Sequence, residues 1–288
     1  MPDTHPDDAA WCDYSVSDDA RDVADSPERL GVLAVDLAAG AAAEVRSRLG
    51  ERAEVSSKTT STDLVTAADR HVEQWLADRL ARSRPADSIL GEEGGGRPGS
   101  SGVRWILDPI DGTVNFVLGL PQFAVSVAAE VNGVVVAGAV ANPMSGELFR
   151  ATLGGGAWLG DTRLRGPREV PLDRAVVGTG FGYESARRAR QIAVVARLLP
   201  RIADIRRLGA ASLDLCAVAA GRLDAYFEAG LNPWDYAAGA LVAAEAGCVV
   251  TGLRGRPFDD RMTVAAGNAS AALIALLEDL DADEVLER

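Results

Sequence analysis

Histidine is nearly absent from this sequence. His5 and His71 are the only two in 288 residues; His5 lies in an acidic stretch and His71 in a helical pattern, on its solvated face. So few imidazoles argue against a His-based catalytic triad or zinc site. Cysteine is scarce too. Cys12, Cys216 and Cys248 are scattered, odd in number and without metal-site spacing. That fits reduced thiols of a cytoplasmic protein, with Cys216 and Cys248 as core residues. No run of 18 or more apolar residues occurs without a charge, so no segment reads as a membrane span. No basic region followed by an apolar core opens the chain, so no signal peptide is expected. Positive charge is in deficit: the formal net charge is −13. Residues 1–30 hold nine acidic and two basic residues, −7 in all, and the other −6 is spread over the body. A body of this sign argues against general affinity for nucleic acid. There is no Gly-Lys-Ser/Thr loop, so a nucleoside triphosphatase is disfavoured, and Gly178-Thr179-Gly180-Phe181-Gly182 lacks the dinucleotide spacing.

What is present is a large apolar fraction, 48% of residues, enough for a sizeable core. Residues 1–26 are rich in Asp, Ala and Ser without apolar period and are expected to be a disordered acidic tail. From Leu30, apolar residues at 33, 34, 37, 41 and 45 predict a helix, with Ser26-Pro27 as its cap and first-turn proline. Thr66-Ala67-Ala68-Asp69 resembles a capping box, and Val72, Trp75, Leu76 and Leu80 supply the buried stripe of a second helix. Strands are predicted at 88–90 and 103–107, followed by a hairpin, 123–131 and 134–140, around Asn132-Gly133. Another strand is read at 147–153. The second half alternates: strand 175–180, Arg-rich helix 184–200, strand 203–207, helix 210–220, strand 223–227, helix 235–246, strands near 248–251 and 263–266, and helix 269–279. The mixture is a layered α/β or α+β architecture with sheets covered by helices. The body, residues 27–288, reads as a single domain of two packed halves, about 27–165 and 166–288.

The most telling stretch is Trp105-Ile106-Leu107-Asp108-Pro109-Ile110-Asp111-Gly112-Thr113. An apolar run ends in two carboxylates three residues apart. At 4 Å two like charges cost about 4 kcal/mol at an effective dielectric of 20. A divalent cation between them removes that cost, and hard oxygen ligands suit Mg²⁺. Taken alone, the letters fit equally a capped turn, with Asp108 as cap and Asp111-Gly112 as turn. Two further acidic segments bear on the choice. Glu92 and Glu93 follow the strand at 88–90, and Asp235 opens a helix within Asn232-Pro233-Trp234-Asp235. Asp235 alone reads as a first-turn residue stabilised by the helix dipole, and Glu92 alone as a solvated loop residue. Glu92, Asp108, Asp111 and Asp235 together would make a pocket that only bound metal renders tolerable.

These segments resemble the signatures of the inositol monophosphatase family: Gly91-Glu92-Glu93, Asp108-Pro109-Ile110-Asp111-Gly112-Thr113 and Trp234-Asp235-Tyr236-Ala237-Ala238-Gly239. Lys58-Thr59-Thr60-Ser61-Thr62-Asp63 through Asp69 is similar to the family's N-terminal motif. The resemblance spans roughly residues 30–280 with order and spacing intact. Thr179-Gly180-Phe181-Gly182-Tyr183 and the segment from Arg206 to Glu228 look most like the bacterial inositol-1-monophosphatases of the SuhB type. The Ala- and Arg-rich, Lys-poor composition suggests a GC-rich bacterium such as an actinobacterium.

The resemblance implies an α+β fold, a five-layer α-β-α-β-α sandwich of the inositol monophosphatase and fructose bisphosphatase type. It implies Mg²⁺-dependent hydrolysis of a phosphate monoester. By motif position, Glu92, Asp108, the Ile110 carbonyl and Asp111 would hold a first metal, and Asp108, Asp111 and Asp235 a second. A third, weaker ion would sit on the Glu92 side. Glu92 and Thr113 would orient the attacking water, with Asp63, next to a mobile loop at Lys58, assisting. The Gly112 and Thr113 amides would hold phosphate oxygens. A metal lowers the pKa of its water, so the chemistry needs no histidine base. Glu228 is placed to accept inositol hydroxyls, Arg206 and Arg207 lie near the substrate or a dimer contact, and Gly209, Ala210 and Ala211 would pack beside the sugar ring. Relatives often carry Ser or Thr where Ala210 stands, which bears on fine specificity. A homodimer and inhibition by Li⁺ are also implied.

Substrate choice is poorly written in sequence. Histidinol phosphate, a sugar bisphosphate and 3′-phosphoadenosine 5′-phosphate are the enzymatic alternatives to inositol 1-phosphate. A non-enzymatic alternative is association with transcription machinery, for which Arg187, Arg188, Arg190, Arg197 and Arg201 offer a basic helix; a solvated or dimer-facing helix explains them more simply.

Overall fold

The computed structural model describes residues 25–49, 56–57, 64–65, 67–94, 96–267 and 270–286. Nearly all of the acidic N-terminal stretch, and Lys58, Asp63 and Thr66, lie outside them.

Helix α1 (Pro27–Ser47) starts as its sequence dictates: Ser26 caps it, its Oγ accepting the Arg29 N–H at 3.4 Å, and Pro27 takes the first turn, where its missing N–H costs nothing. Its buried face is largely alanine, Ala34, Ala38, Ala41 and Ala42, between Leu30, Leu37 and Val45. Small side chains let the helix lie close against a sheet. Helix α2 (Ala67–Ser83) buries Val72, Leu76 and Leu80, and also Asp69 and Glu73 on the same face. Trp75 sits at the rim of that stripe, half-buried, with the Arg79 guanidinium 4.5 Å from its ring centre.

Both helices cover a seven-stranded sheet of β3 (Ser88–Gly91), β4 (Val103–Asp111), β5 (Ala124–Val131), β6 (Val134–Ala141), β7 (Leu148–Thr152), β8 (Gly156–Leu159) and β9 (Thr162–Arg163), in that order across the sheet. Only β3 and β4 run parallel; the other neighbours are antiparallel. A separate two-stranded ribbon pairs β1 (Ser56–Ser57) with β2 (Leu64–Val65). Asn132 and Gly133 turn the β5–β6 hairpin with φ of 51° and 87°, the positive values that a type I′ turn requires. The second sheet contains β10 (Val176–Thr179), β11 (Asp204–Arg206), β12 (Ala225–Glu228), β13 (Val249–Thr251) and β14 (Thr263–Ala266), in the order β11-β10-β12-β14-β13.

Strand alternation assigns each face to a layer. Trp105 and Leu107 of β4 and Val125 and Val127 of β5 pack with α1 and α2, whereas Ile106, Ala124 and Ala128 pack with α5 (Ala211–Ala219) and α6 (Pro233–Glu245). Helices α5 and α6 are apolar almost all round because each also meets the second sheet, through Leu215, Val218 and Ala243 against Tyr226 and Ala265. The outer face of that sheet, Val177, Phe227 and Val264, is closed by α4 (Ser185–Leu198) and α7 (Ser270–Asp279). The result is the layered α-β-α-β-α sandwich. One contact in it is unusually close: a Cβ at Gly138 of β6 would lie 3.0 Å from the Ala238 Cα of α6.

Two features depart from the sequence expectations. β4 does not stop at Leu107 but runs through Asp111, with a register shift between Asp108 and Asp111. Pro109, which cannot donate to a ladder, sits in that bulge. The short strands β8 and β9 and the six-residue α3 (Thr113–Leu118) have too few residues to show a period, and only the structure reveals them.

Candidate metal centre and cavity

Residues three apart on a regular strand point to opposite faces. The bulge in β4 cancels this and brings Asp108 and Asp111 together. Asp235, in the first turn of α6, joins them: one oxygen from each of the three carboxylates lies within 4.8 Å of the others. Each is held from behind. The Ile110 N–H donates to Asp108 Oδ1 at 3.0 Å. Asp111 accepts the Ala211 N–H at 3.2 Å, the Ser212 N–H at 2.7 Å and the Ser212 hydroxyl at 2.5 Å, all from the start of α5. Asp235 accepts the N–H of its own N-cap residue, Asn232, at 2.6 Å, so it is a helix-start residue and a member of the cluster at once.

The electrostatics are those of a site short of cations. Burial pushes the Asp108 carboxyl well above the ordinary range, and Glu92, Asp111, Asp235 and Asp69 push it further. Asp235 is raised in the same way, by burial first and then by Asp111. Asp111 is pushed up to about 6 by burial, despite its three hydrogen bonds and the nearby Arg207. Without a cation the folded chain keeps these groups together by taking up protons. All the donors are hard oxygens on two rigid elements, so the residues present fit a divalent metal of the magnesium type.

Thr113 is buried beside the cluster. Its hydroxyl lies 3.1 Å from the Ile110 carbonyl oxygen and 3.1 Å from Asp69 Oδ1. Gly112 precedes it with φ of 91°, and a Cβ there would come 3.0 Å from both the Gln122 and the Gly209 carbonyl oxygens. Asn115 ties those two loops, donating to Gln122 O at 2.6 Å and Leu208 O at 2.8 Å. Only glycine fits between them.

A cavity of 510 Å³ opens over the cluster, and Glu92, Asp111, Gly112, Ala211, Glu228 and Asp235 all contribute to its wall. Asp108, Ile110 and Thr113 are buried and not part of the wall. Two arginines reach the wall, Arg187 of α4 and Arg207; Arg206 does not, its exposed side chain pairing with Asp204 at 2.5 Å. Glu228 lies at the end of β12, its carboxyl pushed up to about 7 by burial. Gly180 lies beside it, which gives the Gly-rich Thr179–Tyr183 segment a steric role at this wall in place of a nucleotide one. Lys58 and Asp63 fall outside the described residues.

Sequence reasoning gave no site role to three supporting residues: Asp69, Ser212 and Tyr226. Asp69 carried a usable signal, since an acid at position 69 shares the apolar face of Val72, Leu76 and Leu80. Ser212 carried none, because its partner Asp111 is distant in sequence; Tyr226 shares a strand face with Glu228 two positions on, a spacing common to every strand.

Residues 26–282 match the family model described as the inositol monophosphatase family. The chain is 49% identical over 273 residues to an inositol-1-monophosphatase of Mycobacterium leprae, covering 87% of this chain and 94% of that protein. It is 44% identical over 202 residues to the Nus factor SuhB of Escherichia coli, covering 69% of this chain and 76% of that one. The solved structure of Mycobacterium tuberculosis SuhB superposes with a TM-score of 0.76 at 45% identity, over 89% of this chain and 98% of that one.

Proposed function

Because the chain belongs to the inositol monophosphatase family, we propose that it hydrolyses myo-inositol 1-phosphate to myo-inositol and phosphate with Mg²⁺ as cofactor. As a phosphoric monoester hydrolase it must stabilise charge on a phosphoryl group and deliver water in line with the leaving oxygen. The observation that carries the reading is the Asp108–Asp111–Asp235 cluster, two of its carboxylates buried and Asp235 half-buried, beside a 510 Å³ cavity.

In this reading Glu92, Asp108, the Ile110 carbonyl and Asp111 would hold one ion and Asp108, Asp111 and Asp235 a second, with a third, weaker ion on the Glu92 side. The ions supply Lewis acidity to the phosphoryl and leaving oxygens and lower the pKa of water. Thr113 spends its single proton on Asp69 or the Ile110 carbonyl, which leaves its oxygen lone pairs to accept a hydrogen from the attacking water. Glu92, on the cavity wall, receives the proton that water loses. The Gly112 and Thr113 amides hold phosphoryl oxygens, and Asp63 would help to hold the weaker ion. The P–O bond to the inositol oxygen breaks as the new P–O bond forms, and the leaving oxygen takes up a proton. Glu228 accepts inositol hydroxyls, Ala211 packs beside the ring, and Arg207 takes the cationic place on the substrate side.

The test is kcat/KM in Mg²⁺ for inositol 1-phosphate, histidinol phosphate, a sugar bisphosphate and 3′-phosphoadenosine 5′-phosphate. A preference for any of the other three by roughly tenfold, about 1.4 kcal/mol in transition-state binding, would overturn the substrate assignment. Chelation should abolish turnover, and millimolar Li⁺ should inhibit by occupying the second site. The same reading makes the active form a cytoplasmic homodimer of 30.1 kDa chains, which size-exclusion chromatography with light scattering checks. No described helix is long and apolar enough to cross a membrane. A second reading, binding to transcription machinery, draws on the Nus factor relative and on the exposed Arg197 of α4 and Arg201 just beyond it. RNA polymerase co-purifying with an inactive Asp108→Asn protein would support it.

A further inference from the structure

Glu228 borders two spaces. One is the large cavity; the other is a void of about 10 Å³, roughly one water, lined also by Gly180, Gln191 and Met262. Packing alone therefore does not decide where its carboxylate points. Two residues do. Tyr226 lies two positions earlier on β12 and so on the same face. It is fully buried, and its hydroxyl donates to Glu228 Oε2 at 2.5 Å, the short distance of a bond to a charged acceptor. Across the sheet, at the end of β10, a Cβ at Gly180 would lie 1.9 Å from the same Oε2 and 2.3 Å from Oε1. The carboxylate occupies the volume that any side chain at 180 would need. No described residue hydrogen-bonds Oε1.

We propose that Tyr226 and Gly180 are positioning residues that set the enzyme's selectivity for polyol phosphates: the phenol anchors Oε2, the glycine leaves room for the carboxylate, and Oε1 is thereby presented as the acceptor for hydroxyls flanking the ester. The proposal rests on the reading of Glu228 as the hydroxyl acceptor. Neither residue belongs to the Asp108–Asp111–Asp235 cluster or the Gly112–Thr113 turn, so the effect should be confined to the alcohol side of the substrate. A tyrosine with two fixed torsions holds the acceptor at low entropic cost, whereas an unanchored glutamate would sample both spaces.

The experiment compares kcat/KM for inositol 1-phosphate with that for 4-nitrophenyl phosphate, which has no hydroxyl near the ester, in the Mg²⁺-loaded enzyme. Tyr226→Phe keeps the ring and removes only the donor. It should lower the ratio of the two values about tenfold, through KM for inositol 1-phosphate. Gly180→Ala should lower the ratio in the same direction. Glu228→Gln reports on the underlying reading. A ratio that falls in Glu228→Gln but is unchanged in Tyr226→Phe overturns the anchoring proposal alone. A ratio unchanged in Glu228→Gln overturns the acceptor reading, and the proposal with it. Equal losses on both substrates in Tyr226→Phe would mean a merely structural tyrosine and also overturn the proposal.

Discussion

Replacing Asp108 by asparagine should destroy turnover and, without metal, make the protein more stable. The substitution is isosteric and keeps an acceptor for the Ile110 N–H at 3.0 Å. It removes one negative charge from a cluster whose ligand oxygens lie within 4.8 Å of one another. At that separation and an effective dielectric of 20, each like-charge pair costs about 3.5 kcal/mol. Proton uptake limits the penalty. Asp111, pushed up to about 6 by burial, can be protonated at pH 7.5 for about 2 kcal/mol. Asp108→Asn removes the pair repulsion but not the burial of Asp111, so that amount, roughly 4 °C in Tm for a chain of this length, is the upper limit of the gain. The pH dependence carries the sign. The folded-state pKa is raised above the unfolded value of 3.8, so the metal-free native state binds more protons than the unfolded chain. Wild-type stability from this group is therefore fullest below about 4 and is lost as pH rises through about 6. Asp108 and Asp235 shift in the same direction. At pH 5 the wild-type cluster is already largely protonated, and the gap between the proteins should nearly close. The assay is thermal denaturation in EDTA at pH 5 and 7.5, repeated at pH 7.5 with saturating Mg²⁺, where wild type should rise and the variant should not. A variant no more stable than wild type at pH 7.5 would refute the reasoning, as would a gain equal at both pH values.

Thr113→Ala should reduce kcat about 10²-fold, the size of a lost proton-transfer or water-orienting group, while keeping the Mg²⁺-induced rise in Tm. Gly112→Ala combines a φ of 91° with two carbonyl contacts at 3.0 Å and should cost about 2 kcal/mol in urea denaturation, besides lowering activity. Because the Glu228 carboxyl is pushed up to about 7 by burial, its acceptor capacity is lost as pH falls. KM for inositol 1-phosphate should rise roughly tenfold between pH 8 and pH 6 relative to 4-nitrophenyl phosphate, and Glu228→Gln should flatten that difference.

The helices and central strands were legible because their patterns are local: the alanine and leucine spacing of α1, the Asn132-Gly133 turn, the apolar runs of β4 and β5. The acidic members of the site were legible for a related reason, since carboxylates after apolar runs are anomalous on their own strands. What was not legible depends on register and on distant partners. The extension of β4 through Asp111 needs the β5 pairing to be seen. Which of Arg206 and Arg207 reaches the cavity wall is a one-residue question at a strand end, where alternation gives no purchase. Ser212 is an ordinary letter until the fold brings it behind Asp111, and Tyr226, although only two positions from Glu228 on β12, has a hydroxyl whose aim the letters do not give. The family resemblance supplied roles for Glu92 and Thr113 that composition and spacing could not.

The near-contact of Gly138 with Ala238 has a consequence for the reaction centre. Asp235 is rooted at the head of α6, one turn before Ala238, while Asp108 and Asp111 stand on a strand two places from β6. The Ser126 hydroxyl of the intervening strand, 3.3 Å from the Trp234 carbonyl oxygen, ties the same helix end to the sheet. The gap between the carboxylates is thus gauged by a glycine and an alanine some way from any ion, acting as a shim between sheet and helix. One added methyl at position 138 would wedge the two apart, and the ligand sphere would widen although every ligand remained in place.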